Sequence, residues 1–243
     1  SYLVAEHTAV IDLADPRSDA LDALTRLADA LDAPLEPALL QVHATHALEQ
    51  GPLTMIEMGK VLANHLPENT IVADEGTTNS LGAFMFTGCA RHHDWLTLTG
   101  GAIGMGLPLA LGAAIACPDR KIIALQADGS AMYTPQALWT MVRENTDVTV
   151  ILLNNSSYAI LNIEMQRVGV AHPSDKAKSL LDLSNPTIDW VSLASGMGMP
   201  ASRADTVAEL DRAMASAMAQ RGPKLIEVIL PGYVYPSSAG IDG

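Results

Sequence analysis

Cysteine, aromatic residues and basic residues are all scarce in this sequence. Its 243 residues include two cysteines, 4% aromatic residues, and 14 Lys and Arg against 27 Asp and Glu. Cys89 and Cys117 are too few for a disulfide framework, which fits a reducing compartment and predicts a cytoplasmic protein. The net charge of −13 argues against a nucleic-acid backbone as a partner.

A membrane-spanning segment is also missing. Residues 96–118 carry no charge, but five glycines and Pro108 interrupt them, so their helical part is too short to cross a bilayer. The amino end has no basic region followed by an apolar core, so no signal peptide is expected. Hydrophobic residues make up 49% of the chain, which is enough for a substantial core. A soluble protein without nucleic acid or membrane partners is predicted.

Two short apolar and β-branched segments, 121–126 and 148–153, are typical of buried parallel strands. Between them, Thr134 and Pro135 can begin a helix whose apolar residues fall on one face. A strand, a helix and a strand in this order place the second strand beside the first and parallel to it. We therefore predict an α/β fold with three layers, in which a mostly parallel sheet lies between helices.

Polar residues follow both of these strands. Asp128, Gly129 and Ser130 come after the first, and Asn154-Asn155 come after the second. Because parallel strands end at the same edge of a sheet, Asp128 and Asn155 are expected to meet there. Their oxygens suit Mg²⁺, which leaves room for phosphate oxygens, while Gly129 and Ser130 can approach an anion. An Asp-Gly pair alone is more often an ordinary turn. Its combination with the asparagine pair favours a metal and anion site.

These residues resemble the metal and diphosphate motif of thiamine diphosphate enzymes. The familiar motif begins Gly-Asp-Gly, and Ala127 stands here in place of the first glycine. The segments Ala-Leu-Trp-Thr at 137–140 and Asn-Asn-x-x-Tyr at 154–158 are similar to the acetolactate synthase and benzoylformate decarboxylase branch. The resemblance covers residues 52–231 and implies thiamine diphosphate and Mg²⁺ as cofactors. The resemblance also implies which residues form the site. Asp128, Asn155 and the Ser157 carbonyl would hold the metal, and Gly129, Ser130 and Tyr158 would contact the cofactor.

Two upstream segments complete the implied cofactor site. Thr77 and Thr78 lie in a polar turn after a predicted strand, and the resemblance places them against the diphosphate. In the loop 100–108, Gly101 would offer its carbonyl to the aminopyrimidine, and Ile103 would wedge beneath the cofactor. A nucleotide-binding dehydrogenase is the alternative, but the glycine order does not match Gly-x-Gly-x-x-Gly. Close packing of a small-residue helix would also explain these glycines.

The helix predicted over 159–170 borders the substrate pocket in similar enzymes. Its residues Leu161, Asn162 and Glu164 would then face the substrate. Asn162 and Glu164 are polar where benzoylformate decarboxylase-like proteins have aromatic bulk, which favours small or polar 2-oxo acids over aryl ones. An ordinary solvated helix face explains the same residues equally well.

The domain organisation follows from the same patterns. Residues 1–33, with a strand at 9–13 and a helix at 18–31, are predicted to be the tail of a preceding middle domain. Residues 34–51 are a predicted linker with a short helix near 43–50, and residues 52–231 form the cofactor domain. A loop is expected over 171–189, and residues 232–243 form a loosely held tail.

The resemblance implies an enzyme that forms or breaks a carbon–carbon bond beside the carbonyl of a 2-oxo acid. Acetolactate synthase-like carboligation is the first reading, a decarboxylase or aldehyde lyase the second, and a non-catalytic cofactor-binding subunit the alternative of another class. In similar enzymes an activating glutamate comes from the pyrimidine domain of a neighbouring subunit. Residues 1–51 offer no such glutamate, so the catalytic residue stays unidentified. A homo-oligomer, dimer or tetramer, is expected, with its active site between subunits and with the single chain inactive.

Overall fold

The computed structural model describes residues 7–39, 41–170 and 173–232, and the chain divides into two units, 1–41 and 42–243. The first unit contains one helix, α1 (Ala20–Ala30), which Asp19 caps by accepting hydrogen bonds from the amides of Leu21 and Asp22. The predicted strand at 9–13 does not form. Those residues are exposed and pair with no other strand in the described part of the unit, so nothing there satisfies a strand backbone.

The second unit is built on a parallel sheet of six strands. The strands are β1 (Thr70–Glu75), β2 (His93–Thr97), β3 (Ile122–Ala127), β4 (Val148–Asn154), β5 (Ala201–Ala204) and β6 (Lys224–Ile229). Their order in the sheet is β2-β1-β3-β4-β6-β5. β3 and β4, the two strands predicted most clearly, pair directly, with Ala127 opposite Leu153 at their carboxyl ends.

Helices connect these strands and cover both faces of the sheet. Two of these helices begin at side-chain caps: Thr54 accepts a hydrogen bond from the Glu57 amide, and Thr206 and Glu209 form a capping box. The helices are α2 (Met55–His65), α3 (Leu81–Thr87), α4 (Gly106–Ala116), α5 (Asp128–Ala131), α6 (Gln136–Arg143), α7 (Ala159–Arg167), α8 (Asp175–Leu181), α9 (Trp190–Gly196) and α10 (Val207–Ala219).

Alternate residues of the central strands contribute their side chains to two hydrophobic cores, one on each face of the sheet. Leu125 and Leu153 pack with α2 and α10 on one side, whereas Ala124 and Leu152 pack with α4, α6 and α9 on the other. Because both faces are buried, β3 and β4 are mostly apolar rather than alternating between apolar and polar residues. The predicted three-layer α/β fold is confirmed.

Two local predictions differ from the structure, and one strand was not predicted. Residues 43–50 have no regular secondary structure instead of a helix, because the backbone of His46 bonds in both directions to the Asn64 side chain. The segment 171–189, predicted as a loop, contains α8, which Ser174 caps at the Ala177 amide. The edge strand β5 has only four residues, too few for a periodic signal. The tail at 232–243 lies outside the described residues from 233 onward.

In the described segments, no helix combines the length and the apolar character that a membrane crossing would require.

We predict opposite effects for two glycine-to-alanine substitutions. At Gly82 in α3, an added Cβ would overlap the Met55 carbonyl of α2, whereas at Gly112 in α4 it would meet open space. Gly82→Ala should therefore lower the free energy of unfolding by about 2 kcal/mol or more through overpacking, and Gly112→Ala should raise it by about 0.5–1 kcal/mol. Urea denaturation of both variants measures this. Equal effects at the two positions would contradict the close α2–α3 contact.

Candidate functional site

The polar residues that follow β3 and β4 come together at the carboxyl edge of the sheet. Asp128 begins α5 directly after β3, and Asn155 follows the last residue of β4. The Ser156 amide donates to Asp128 Oδ2 at 2.7 Å, which joins the two segments. The meeting of Asp128 with the asparagine turn, expected from the parallel strand pair, is therefore present.

Asp128 is a buried carboxylate with only 3% of its surface exposed. Burial raises its pKa to about 6, although hydrogen bonds from the amides of Gly129 and Ser156 act in the opposite direction. No ion pair is found for Asp128 among the described residues. A buried carboxylate without a cationic partner is a favourable place for a bound cation.

The turn after β4 has a specific backbone shape. Ser156 has a φ of 53°, in the left-handed region that few non-glycine residues adopt, and Asn155 Oδ1 accepts a hydrogen bond from the Ser157 amide at 3.0 Å. The end of α8 and the residues after it hold this turn in place. The Leu183 amide donates to the Ser156 carbonyl, and the Tyr158 amide donates to the Leu181 carbonyl. The unpredicted helix α8 thus anchors the turn.

A cavity of about 230 Å³ lies against the turn and α5. Eight of the predicted site residues line it, in the company of four that the sequence did not single out. The predicted residues are Thr77, Gly101, Ile103, Asp128, Gly129, Ser130, Ser157 and Tyr158, and the others are Glu75, Leu98, Ala127 and Ile160. Thr78 and Asn155 lie beside it in sequence but are not part of its lining.

Glu75 is the main residue that sequence reasoning missed. It ends β1, is 1% exposed, and accepts hydrogen bonds from the amides of Gly104 and Gly106. Gln126 Nε2 links it to Ser130 by donating to Glu75 Oε2 at 3.2 Å and to Ser130 Oγ at 2.6 Å. The carboxylate therefore fixes the glycine loop against the Asp-Gly-Ser segment. The sequence signal that could have identified Glu75 was its position at the end of a strand and directly before a glycine.

The cavity fits a cofactor that carries a diphosphate and a metal. Gly129 allows the Tyr158 ring to lie close to the backbone, since a Cβ at this position would overlap that ring. The described residues contain no cluster of three His, Cys, Asp or Glu side chains, so a metal here would use one carboxylate with amide and carbonyl oxygens. That donor set suits Mg²⁺. Ile103, half exposed, presents an apolar side chain to the cavity, as a wedge beneath a ring requires.

The residues predicted to face a substrate are placed differently from one another. Asn162 is buried and donates from Nδ2 to Ser157 Oγ at 3.1 Å, so its amide supports the turn. Glu164 pairs with Arg167 on the outer surface of α7. Leu161 is half exposed, and its neighbour Ile160 lines the cavity. A contact of Leu161, Asn162 or Glu164 with substrate stays a prediction.

Comparison with known proteins agrees with this geometry. Residues 74–228 match the family model of the thiamine pyrophosphate enzyme C-terminal TPP-binding domain. The chain belongs to the thiamine pyrophosphate enzyme family. The match runs from the end of β1 into β6 and so includes Asp128, the asparagine turn and the glycine loop.

Individual relatives point to the same branch of this family. The chain is 47% identical over 235 residues to a Mycobacterium tuberculosis H37Rv protein that carries the provisional name acetolactate synthase large subunit IlvX, covering 96% of this chain and 45% of that protein. It is 34% identical over 200 residues to an alpha-keto-acid decarboxylase of Mycobacterium bovis BCG Pasteur, covering 78% of this chain and 32% of the decarboxylase. This thiamine pyrophosphate enzyme chain therefore spans less than half the length of these relatives.

A solved structure shares the fold. The Rhodococcus jostii RHA1 thiamine diphosphate-dependent 4-hydroxybenzoylformate decarboxylase superposes with a TM-score of 0.71 at 28% identity, covering 87% of this chain and 39% of the decarboxylase. The parallel sheet and its helices are thus those of a thiamine diphosphate-dependent enzyme.

Replacing Glu75 should destabilise the protein. Glu75→Ala would leave the buried amides of Gly104 and Gly106 without an acceptor, and each such group costs about 1–3 kcal/mol. We expect the free energy of unfolding to fall by at least about 2 kcal/mol in urea denaturation. Glu68→Ala, at an exposed glutamate before β1, is the control and should change it by less than about 0.5 kcal/mol. Equal values for the two variants would contradict the assigned role of Glu75.

Proposed function

We propose that this chain supplies the diphosphate- and Mg²⁺-binding half of an enzyme that forms or breaks a carbon–carbon bond beside the carbonyl of a 2-oxo acid. The observation that carries the proposal is the junction of the buried Asp128 carboxylate with the left-handed turn at Ser156, beside a cavity that the glycine loop encloses. When bound, thiamine diphosphate supplies carbanion chemistry at a carbonyl carbon.

Each part of the site has a proposed task. Asp128, the Asn155 side chain and the Ser157 carbonyl would hold Mg²⁺, which offsets the charge of the diphosphate. The diphosphate would lie against residues with amides or hydroxyls, and the rings of the cofactor would lie along the glycine loop. The diphosphate residues are Thr77, Thr78, Gly129 and Ser130, and the ring residues are Gly101, Ile103 and Tyr158.

Acetolactate synthase-like carboligation is the leading reaction, supported by the name of the relative that is 47% identical. Decarboxylation or aldehyde lyase activity is the second candidate, supported by the alpha-keto-acid decarboxylase relative. A non-catalytic cofactor-binding subunit remains the candidate of another class. Cys89 and Cys117 form no disulfide in the part of the chain that the structure describes, and we propose a cytoplasmic location.

We further propose that a second copy of the protein completes the site. Large apolar side chains are exposed on α3, just after α5 and on α7, and the exposed side chains of Ile103 and Ile160 also line the cavity. Residues 1–243 match only 45% of the length of the relative that is 47% identical, and a pyrimidine domain would belong to the remaining length. Exposed apolar area of this kind marks an interface. Its side chains include Leu81, Phe84, Met85, Met132, Tyr133 and Leu161.

Removing the Asp128 carboxylate should abolish metal-dependent cofactor binding. Among the proposed metal ligands, Asp128 alone carries a charge, so Asp128→Ala should weaken thiamine diphosphate binding in the presence of Mg²⁺ by more than about 100-fold. Isothermal titration calorimetry with and without Mg²⁺ measures this. Asp119→Ala, at an exposed aspartate before β3, is the matched control. Unchanged cofactor affinity and Mg²⁺ dependence in Asp128→Ala would refute the metal site.

The 243-residue chain alone should not sustain turnover. Half of the cofactor pocket and the activating glutamate would come from the pyrimidine domain, and loss of one proton-transfer partner alone costs about 10²- to 10⁴-fold in rate. The test supplies the chain with thiamine diphosphate, Mg²⁺ and pyruvate, then assays acetolactate and acetaldehyde. The Mycobacterium tuberculosis relative, assayed in parallel, is the control. Sustained product from the chain alone would contradict the proposed division of the site.

A further inference from the structure

Glu227 is a buried acid in the middle of the apolar strand β6. It is fully buried, and a carboxylate in such a place is costly unless both of its oxygens are paired. Its Oε1 accepts a hydrogen bond from Asn154 Nδ2 at 2.7 Å, and its Oε2 accepts one from Arg203 Nε at 2.8 Å. Glu227 therefore joins β5, β6 and β4, three strands that lie side by side.

The sheet register explains why these three side chains meet. Arg203 and Glu227 are direct partners across β5 and β6, so their side chains leave the sheet on the same face. Asn154 pairs with Ile229, two residues beyond Glu227, which also places its side chain on that face. The contact is thus set by the backbone pairing of the strands.

Asn154 passes the contact on to the turn. A carboxylate can only accept hydrogen bonds, so Glu227 forces the Nδ2 group of Asn154 toward itself and turns Oδ1 the other way. That Oδ1 accepts from the Ser156 amide at 2.9 Å and from the Ser156 hydroxyl at 3.1 Å. The same Ser156 amide reaches Asp128 Oδ2. A chain of hydrogen bonds therefore runs from Glu227 to the left-handed residue between Asn155 and Ser157.

We propose that Glu227 is a positioning residue for the metal, acting through Asn154 on the turn that presents Asn155 and Ser157. The inference rests on the proposed Mg²⁺ site and gives the two adjacent asparagines separate tasks, with Asn155 as a ligand and Asn154 as its support. Arg203 donates to Oε2 of Glu227, so Oε1 is left to accept from Asn154 and keeps the Asn154 amide in one orientation. Partners behind metal ligands commonly have this function.

The experiment compares Mn²⁺ binding by the wild-type chain with binding by Glu227→Gln and Asn154→Ala. Mn²⁺ is titrated in the presence of thiamine diphosphate, and free Mn²⁺ is followed by electron paramagnetic resonance. We expect each variant to raise the Mn²⁺ dissociation constant by about 10- to 100-fold, with binding recovered at higher Mn²⁺ concentration. Asn154→Ala leaves the Glu227–Arg203 pair intact, so it decides the question if Glu227→Gln does not fold.

A matched control separates positioning from general stability. Glu57 is another buried glutamate with a cationic partner, since its Oε1 accepts from Lys60 Nζ at 2.6 Å in α2. Glu57→Gln should lower the melting temperature and leave the Mn²⁺ dissociation constant within about twofold of wild type.

The outcomes distinguish the two levels of the argument. If wild type binds Mn²⁺ and the folded Asn154→Ala variant binds it equally well, the role of Glu227 and Asn154 is wrong while the metal site stands. If Glu57→Gln weakens Mn²⁺ binding as much as Glu227→Gln does, the effect is one of stability and the positioning role is again wrong. If wild type itself does not bind Mn²⁺, the proposed metal site fails and the inference fails with it.

Discussion

The parallel pairing of β3 with β4 is the constraint on which the candidate site depends. Because the two strands pair in register to their last residues, the segments that follow them emerge together at one edge of the sheet. One hydrogen bond, from the Ser156 amide to the Asp128 carboxylate, then fixes the turn against α5. A shift in this register would separate Asp128 from the turn and leave the buried carboxylate without the Ser156 amide as a donor.

Buried carboxylates organise the surroundings of this junction. Glu75 holds the glycine loop on one side, and Glu227 holds Asn154 on the other, each by accepting hydrogen bonds at its side-chain oxygens. Burial of an acid costs free energy unless its oxygens accept hydrogen bonds. In this unit, each buried acid accepts hydrogen bonds either from a segment without regular secondary structure or from the side chain that supports such a segment. The sheet therefore supplies rigid positions from which acids fix the loops.

The family and the fold could be predicted from local sequence. Residues 122–127 and 148–154 are mostly apolar because both faces of the sheet are covered, and the helices α2 and α10 begin at recognisable caps. Polar residues stand at the carboxyl ends of both β3 and β4 in the sequence, so the meeting of Asp128 with the turn could be expected. β5 and α8 could not be predicted in the same way, since a four-residue strand and a seven-residue helix carry too little periodicity.

The sequence by itself determined most of the strands and helices of the second unit, and which chemical groups stand at the ends of β3 and β4, because those properties depend on neighbouring residues. Only the tertiary structure decided which acids serve the site. Glu75 meets an amide 31 residues away, and Glu227 meets Asn154 at a separation of 73 residues. It also turned Asn162 toward Ser157 rather than toward the cavity. Hydrogen bonds between distant residues depend on strand order and register, and no local pattern records either of these.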